Sequence, residues 1–534
     1  RAFVDHTLGR ALYAQGIAEK DPAVMRRAVE AYRAAIVPEA ADERWGTYLV
    51  ARANLALACI ELDRMEAAPE LIEEAVSQLD AYLAEEKDEA GWLRNQRRLA
   101  ESLTKLADGG RHPLYRRAAT AWRDLAARTP ADAEKADMAW FRDSEASALQ
   151  NLVAYGAEAG LGLKTAEVLR EATDAYAQAA ALYGEVDDSE SWRRAMENRA
   201  DLLRNEGAQT RNAETLRGAD RVYGELIDTL VDPALAETRR RVLLGRANNL
   251  SLLGSTERDT VTLDRAVALF AETLGGTGEK ATPEEWAQVV TFANTLVQRG
   301  LPAREQPFFA RAAAIFDTLG DGAGMPPADR AWLRNSQADA WLSHGYPGTD
   351  TAILKRALDA YLDAAAVYNE TDFPDYWRGI AVAVANARAL LGSRTGDVPV
   401  LEEAIGEFRH VLARTAREAD PQLWAYAANG LSFGQTALAR NNGRADLEEG
   451  VRMARTARDI YRGLPDKEVE AAEAEDSLCG AMTELGAARK DRGMVTEALA
   501  ICDSAIGVLG KRRIVLPDLM DNRTRAAERL AAMK

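Results

Sequence analysis

Apolar residues recur along the chain at i, i+4 and i+7 or i+8, as in Leu263, Val267, Phe270 and Leu274. That is one apolar stripe at helical period. Alternating runs of β-branched residues are almost absent, so the pattern predicts helices and no sheet. The stripe also repeats. A small residue followed four later by an aromatic or bulky one recurs as Ala28/Tyr32, Ala75/Leu79, Ala118/Trp122, Ala172/Tyr176, Ala219/Tyr223, Ala266/Phe270, Ala312/Phe316, Ala357/Tyr361, Ala404/Phe408, Val451/Arg455 and Ala498/Cys502. The last two pairs are placed by spacing more than by residue type. Successive spacings are 47, 43, 54, 47, 47, 46, 45, 47, 47 and 47. A second marker runs in phase with the first: Trp45, Trp92, Trp140, Trp192, Trp286, Trp332, Trp377 and Trp424, with Arg239 in the slot between the fourth and fifth.

Each unit reads as two helices. Starts are marked by Thr282-Pro283-Glu284-Glu285-Trp286, Asp420-Pro421-Gln422-Leu423-Trp424 and Ser189-Glu190-Ser191-Trp192. An Asp, Ser or Thr there accepts from free first-turn amides, Pro has no amide to waste, and Glu suits the positive end of the dipole. Leu253-Gly254, Arg299-Gly300, Leu391-Gly392 and Leu485-Gly486 read as stops, with Gly in the left-handed conformation. The small residue lets two helices approach, and the aromatic one turn later fills the space beside it. One helix pair cannot bury such a face alone, but stacked pairs share a continuous core. The Trp series reads first as part of that core. A ligand-facing aromatic stripe is the rival reading.

Thr7-Leu8-Gly9-Arg10-Ala11-Leu12 followed by Ala28-Val29-Glu30-Ala31-Tyr32-Arg33-Ala34-Ala35 resembles the tetratricopeptide repeat. Ala357/Tyr361/Ala364 and Ala172/Tyr176/Ala179 match the family's second-helix pattern, and Asn54-Leu55 and Asn249-Leu250 resemble its first-helix centre. The resemblance covers nearly the whole chain. It implies an all-α, right-handed superhelical solenoid of antiparallel helix pairs, about eleven pairs plus a final helix. The departure is length: the usual unit has about 34 residues, whereas this one has about 47. The extra residues are expected to extend the front of the first helix and the loop within each pair, as at Ser255–Thr260. HEAT-type repeats have the right period and stand as the alternative, though they lack the small-aromatic signature. The array is expected over residues 1–515, its first repeat cut at residue 1, with 516–534 as a capping helix.

Composition narrows the function. The chain has 534 residues, 47% of them hydrophobic and 28% charged, which suits a folded array. A net charge of −17 argues against a nucleic-acid footprint. Cys59, Cys479 and Cys502 are scattered and odd in number, show no disulfide framework, and suit a reducing, cytoplasmic setting. No run approaches 18 uninterrupted apolar residues, so no membrane insertion is expected. His6, His112, His344 and His410 fall in different units and form no metal-binding motif, and no phosphate-binding loop or nucleophile elbow is present. No catalytic residue, metal or cofactor is expected. An all-α enzyme built as a closed toroid is the least supported reading.

Two polar series remain. Asn54, Asn151, Asn248, Asn294 and Asn386 lie 8 to 11 residues after their Trp or Arg239, with Asn249 beside the third. An Asn amide both donates and accepts, so it can clamp one peptide unit of an extended chain. The resemblance implies that first helices line a concave groove, which makes these six residues candidate ligand contacts. The plainer reading is that they bond neighbouring helices. Arg246 joins them as a candidate, with Arg10, Arg52 and Arg388 near similar centres and clusters at Arg94, Arg97, Arg98 and at Arg239, Arg240, Arg241. An Arg-lined surface would grip carboxylates, while charge pairing with neighbouring Glu and Asp is the plainer account. The expected function is non-catalytic binding of a protein or peptide segment. A second expectation is a sensor or autoinhibitory region of a larger protein, with an effector domain upstream of Arg1.

Overall fold

The computed structural model describes residues 2–36, 45–130, 134–156, 163–275, 285–301, 304–348, 350–441, 443–512 and 514–533. Among these there are helices and no strand. The first of two compact units covers residues 1–257. It holds α1 (Ala2–Glu19), α2 (Pro22–Ala35), α3 (Trp45–Glu66), α4 (Pro69–Leu83), α5 (Glu89–Asp108), α6 (Leu114–Arg128), α7 (Lys135–Gly156), α8 (Thr165–Glu185), α9 (Ser189–Thr210), α10 (Ala213–Thr229) and α11 (Ala236–Glu257). The second, residues 258–534, holds α12 (Thr260–Leu274), α13 (Trp286–Gly300), α14 (Gln306–Leu319), α15 (Pro327–Gly345), α16 (Thr351–Ala365), α17 (Pro374–Thr395), α18 (Val398–Arg414), α19 (Pro421–Arg440), α20 (Leu447–Gly463), α21 (Glu468–Arg489), α22 (Arg492–Lys511) and α23 (Pro517–Ala532). Within each unit consecutive helices pack side by side in chain order. Each unit is thus an all-α array of consecutively packed helices, with first helices odd-numbered and second helices even-numbered up to α22.

The core follows the repeated pair. Ala28, Ala75, Ala118, Ala172, Ala219, Ala266, Ala312, Ala357, Ala404 and Ala498 are all fully buried, as are Tyr32, Leu79, Trp122, Tyr176, Tyr223, Phe270, Phe316, Tyr361, Phe408 and Cys502. The tenth repeat departs: Arg455 is exposed, and Ala457 and Tyr461 are the buried small-aromatic pair of α20. The fixed spacing therefore slips there, because the helix turns its apolar stripe and not a particular residue number toward its neighbours.

Helix junctions differ from the sequence expectation in an instructive way. Gly254, Gly300, Gly392 and Gly486 do not take positive φ. Gly300, Gly392 and Gly486 instead sit at crossings with the next helix. A Cβ added to Gly300 would meet Phe309 at 2.8 Å, one on Gly392 would meet Leu401 at 2.9 Å, and one on Gly486 would meet Val495 at 2.8 Å. The left-handed residue lies four positions further on, at Gly396, Arg304 and Lys490. The carbonyl of each crossing Gly then accepts the amide five residues further on, in the manner of a Schellman turn: from Glu305 at 2.9 Å, Asp397 at 3.1 Å and Asp491 at 2.8 Å. Asp397 and Asp491 at once cap the following helix, accepting from Val400 and Met494 amides. One short turn therefore closes one helix and opens the next. The loops within pairs are correspondingly short. α11 runs on through Ser255, Thr256 and Glu257, and only Arg258 and Asp259 link it to α12, since nothing in that stretch breaks a helix.

The predicted cap at Asp420 is present, accepting from Leu423. At the other predicted start the cap is Asp188, one residue ahead of Ser189. Thr282-Pro283 lies outside the described residues.

The expectation of three unpaired cysteines is corrected. Cys479 on α21 and Cys502 on α22 form a disulfide, with Cα atoms 5.7 Å apart, and only Cys59 is free. The 23-residue separation hid the pair, because two antiparallel helices bring such distant positions opposite each other. α22 is also long and apolar enough to cross a bilayer by length and composition. It nevertheless carries Glu497 and Asp503, and buries Val495, Ala498, Cys502, Ala505 and Leu509 in a core shared with α21 and α23.

Ion pairs tie each repeat to the next. Arg33 binds Glu74, Arg241 binds Glu197, Arg409 binds Glu449 and Arg440 binds Glu484, at separations of 41, 44, 40 and 44 residues. Most have an exposed partner and contribute little singly, on the order of 0.2–1 kcal/mol each.

Two substitutions separate crossing glycines from merely helical ones. Gly300→Ala is expected to destabilise by about 1–3 kcal/mol through overpacking against Phe309. Gly507→Ala in α22, where an added Cβ meets nothing within 4 Å, is expected to stabilise by about 0.5–1 kcal/mol. Urea unfolding of both variants checks the contrast, and equal effects would remove the crossing argument.

Candidate functional site

The six asparagines divide by environment. Asn249 is fully buried, and its Nδ2 donates to the Leu216 carbonyl at 2.9 Å. It holds α11 to α10 and faces no groove. Asn54 lies 3.1 Å from His6 Nε2, which joins α3 to α1. Asn294 donates to Ser336 Oγ at 3.0 Å, which joins α13 to α15. Asn151 lies beside the Tyr115 hydroxyl. Asn248 Oδ1 and Asn386 Nδ2 are buried atoms without a hydrogen-bond partner, as is the Oδ1 of the core residue Asn249. Asn386 sits next to the Tyr426 hydroxyl but makes no well-formed bond through that amide. Asn429 Oδ1 on α19 is a fourth such atom. Buried amide atoms left unbonded cost about 1–3 kcal/mol each, so each calls for an explanation.

The arginines are mostly committed to carboxylates and carbonyls. Arg246 Nε donates to Asp220 Oδ1 at 2.7 Å. Arg52 binds Gln78 and Tyr48, and Arg388 binds Glu407. Arg98 donates to Asn95, Arg97 to Glu101, Arg239 to the Ile227 carbonyl and Arg241 to Glu197.

The tryptophans are only partly core. Trp92 is buried and carries Arg128 over its ring at 4.1 Å. Trp140 meets Trp122 edge-on at 4.9 Å, and Trp286 meets Trp332 at 5.5 Å. Trp192 and Trp424 are half-buried. Trp377 packs on His410 at 5.4 Å and lines a cavity of about 420 Å³ with Glu370, Arg388, Glu403 and Glu407. Burial raises the Glu407 carboxyl there, and its Oε2 lacks a partner. The side chain of Trp45 lies outside the described residues. The four histidines are separate. His6 is buried, and burial lowers its pKa. Among the described residues no group of three or more His, Cys, Asp or Glu is arranged to hold a metal.

A second polar layer was not singled out in the sequence. Several second-helix tyrosines thread their hydroxyls toward the first helices. Tyr176 donates to Gln150 Oε1 at 2.8 Å and accepts from Asn198 at 3.1 Å. Tyr223 donates to Asp201, and Tyr361 to Asp339 Oδ1 at 2.6 Å. Burial pushes the Tyr176 hydroxyl up to about 12. The usable signal was Tyr in place of Phe. Asp201/Tyr223 and Asp339/Tyr361 share a separation of 22 residues, whereas Phe270, Phe316 and Phe408 at the same repeat position need no partner.

In the second unit the layer gathers several charged and polar groups. Asp339, Tyr361, Asn386, Tyr426, Glu473 and Arg304 act on one another electrostatically. Asp476 stands at its edge, where Asn522 Nδ2 donates to Oδ1 at 2.6 Å and Arg440 bonds the same Asn522 at 2.7 Å. Burial drives the Asp476 carboxyl from 3.8 to about 7, against the pull of Asn522 and Arg440.

No protein-family model matches the chain, and no curated protein matches it. Among solved structures, the crystal structure of the yeast Tom70 is similar over 100% of this chain and 95% of that chain, at 12% identity and a TM-score of 0.28.

The folded Asp476 holds its proton more tightly than the unfolded carboxyl, so folding takes up a proton between about pH 4 and pH 7. Its contribution to stability falls as pH rises through that window and is flat above it. Thermal melts of the Asp476→Asn variant should therefore gain on the wild type as pH rises, by about 1 kcal/mol or more at neutral pH. A constant gap from acid to neutral pH would show that Asp476 is not desolvated.

Proposed function

We propose that the chain is a non-catalytic scaffold that holds an extended protein segment along its first helices. The observation that carries this reading is the pair of unbonded amide atoms at first-helix positions of the second unit, Asn386 Nδ2 and Asn429 Oδ1, with Asn248 Oδ1 at a like position within the first unit. They come from separate repeats and have the one chemistry that clamps a peptide unit. A bound backbone offers one carbonyl and one amide per residue, so it can satisfy such atoms wherever its side chains point. The folded repeats supply a rigid frame for the contacts. Asn54, Asn151 and Asn294, at the same register, support the frame through His6, Tyr115 and Ser336, and their remaining hydrogen-bond capacity is available to the same ligand. Arg246 contributes through the Asp220 pair that orients it.

Selection of displayed random dodecapeptides on the intact chain tests this. Selected peptides should bind the Asn386→Ala, Asn429→Ala double variant about tenfold or more weakly, with urea stability unchanged or increased. Failure to enrich any peptide, or equal binding by both proteins, would overturn the reading.

A further inference from the structure

The second unit returns on itself. Arg258 donates to the carbonyl of Asp466, 208 positions away. Arg304 pairs with Glu473 across 169 positions. Arg394 donates to Asp518 Oδ1 across 124 positions, at 3.3 Å, and to the Tyr346 carbonyl at 3.3 Å. These contacts bring the α13–α14 turn and the end of α17 against α21 and α23, and Tyr426 on α19 lies within reach of Asp339 on α15, Asn386 on α17, Glu473 on α21 and Arg304, so these elements face a common inner concavity, the chamber.

The lining shows both faces of an enclosed but wet surface. Tyr426 is 45% exposed and Tyr346 37%, and Asp339 is exposed as well. Each is nevertheless strongly desolvated. Asp339 rises from 3.8 to about 6 by loss of solvent, Tyr426 rises to about 12, and Tyr346 rises for the same reason. A side chain that water reaches and protein surrounds lies on the wall of a concavity.

The charges on that wall do not balance evenly. Glu473 has Arg304, and Asp518 has Arg394. Asp339 has the Tyr361 hydroxyl at 2.6 Å and the Asn335 amide at 3.5 Å. Among the described residues no basic group offsets its charge. A carboxylate held by neutral donors in a poorly solvated chamber attracts a cation strongly. The neighbouring tyrosines supply π-faces, which favour ammonium and guanidinium groups. One repeat over, the unbonded Asn386 Nδ2 can donate to a peptide carbonyl beside them.

We propose that the chamber of the second unit receives a lysine or arginine side chain of the bound polypeptide, with the Asp339 carboxylate as its counter-ion and Tyr426 alongside. This rests on the scaffold reading and adds to it the chemistry of the partner: a segment carrying basic residues. Asp339 and Tyr361 fix where the cation goes, and Asn386 fixes the backbone next to it.

Fluorescence anisotropy on the full chain at physiological salt tests the idea. The probes are labelled alternating Gly-Lys, Gly-Gln and Gly-Glu dodecapeptides, with spermidine as competitor. The proteins are wild type, Asp339→Asn and Glu418→Gln, the last removing an equal charge from an exposed position. Asn preserves the shape of Asp339, and circular dichroism verifies the fold. The Gly-Lys probe should bind best and should lose about tenfold or more in affinity in Asp339→Asn alone. Equal loss in both variants would show general attraction to an acidic surface and overturn the site. Binding of Gly-Gln as tight as Gly-Lys, unaffected by Asp339→Asn, would overturn the site while leaving the scaffold standing. Binding of none of the three peptides overturns the site and counts against the scaffold. Asp339-dependent spermidine binding without peptide binding would overturn the polypeptide occupant.

Discussion

The architecture depends on how closely two helices of a pair can cross. At Gly300, Gly392 and Gly486 the first helix offers bare backbone, and Phe309, Leu401 and Val495 press against it. Gly9 offers the same to Tyr32. With the axes this near, Ala on the second helix and the aromatic one turn later can both be wholly buried. The crossing glycine also places its carbonyl where the turn's amide can reach it. One residue thus serves packing and helix termination together, which explains why Gly recurs near the ends of first helices without adopting the conformation usually associated with helix stops.

That dual use explains what the sequence disclosed and what it concealed. Helix content, the alternation of helices and the buried Ala-aromatic pairs follow from local periodicity, and local periodicity is written in adjacent residues. The role of Gly392 was misread because a Gly near a helix end fits two physical explanations, and only its three-dimensional neighbours decide between them. The register of α20 slipped because Val451 is buried but Arg455, four residues on, is exposed, and the aromatic partner falls at Tyr461 instead. The Cys479–Cys502 bond escaped notice because partners across a helix pair carry no spacing signature of their own. Asn249 looked equivalent to Asn248, yet a shift of one residue turns a helix face by about 100°, and that carries it from a partly open surface into the core.

The candidate site was legible only in part for a related reason. Asn386 could be picked out because it lies at an offset after its Trp similar to that of the other asparagines of the series. Asp339 could not, because an Asp in an acidic chain reads as solvated surface. Its character arises from protein that surrounds it without covering it, contributed by α16, α17, α19 and α21. Solvent exposure and dielectric environment are separate properties, and residues on a concave wall are where they part company. The tyrosine hydroxyls are intermediate. Their rings belong to the repeating core, and their oxygens reach through it to side chains such as Asp201 and Asp339.

The arginine contacts that draw the second unit together also impose an order on how it forms. Most packing in a repeat array is between sequence neighbours, so growth can begin anywhere and spread pair by pair. Arg258, Arg304 and Arg394 instead join chain segments more than a hundred residues apart, and closing loops of that length is entropically unfavourable until the intervening helices have stiffened. On a ribosome, Arg394 has no Asp518 to meet until α23 has emerged. The chamber is therefore the final feature of the unit to be assembled, and any change that loosens an intermediate helix pair delays it without touching its walls.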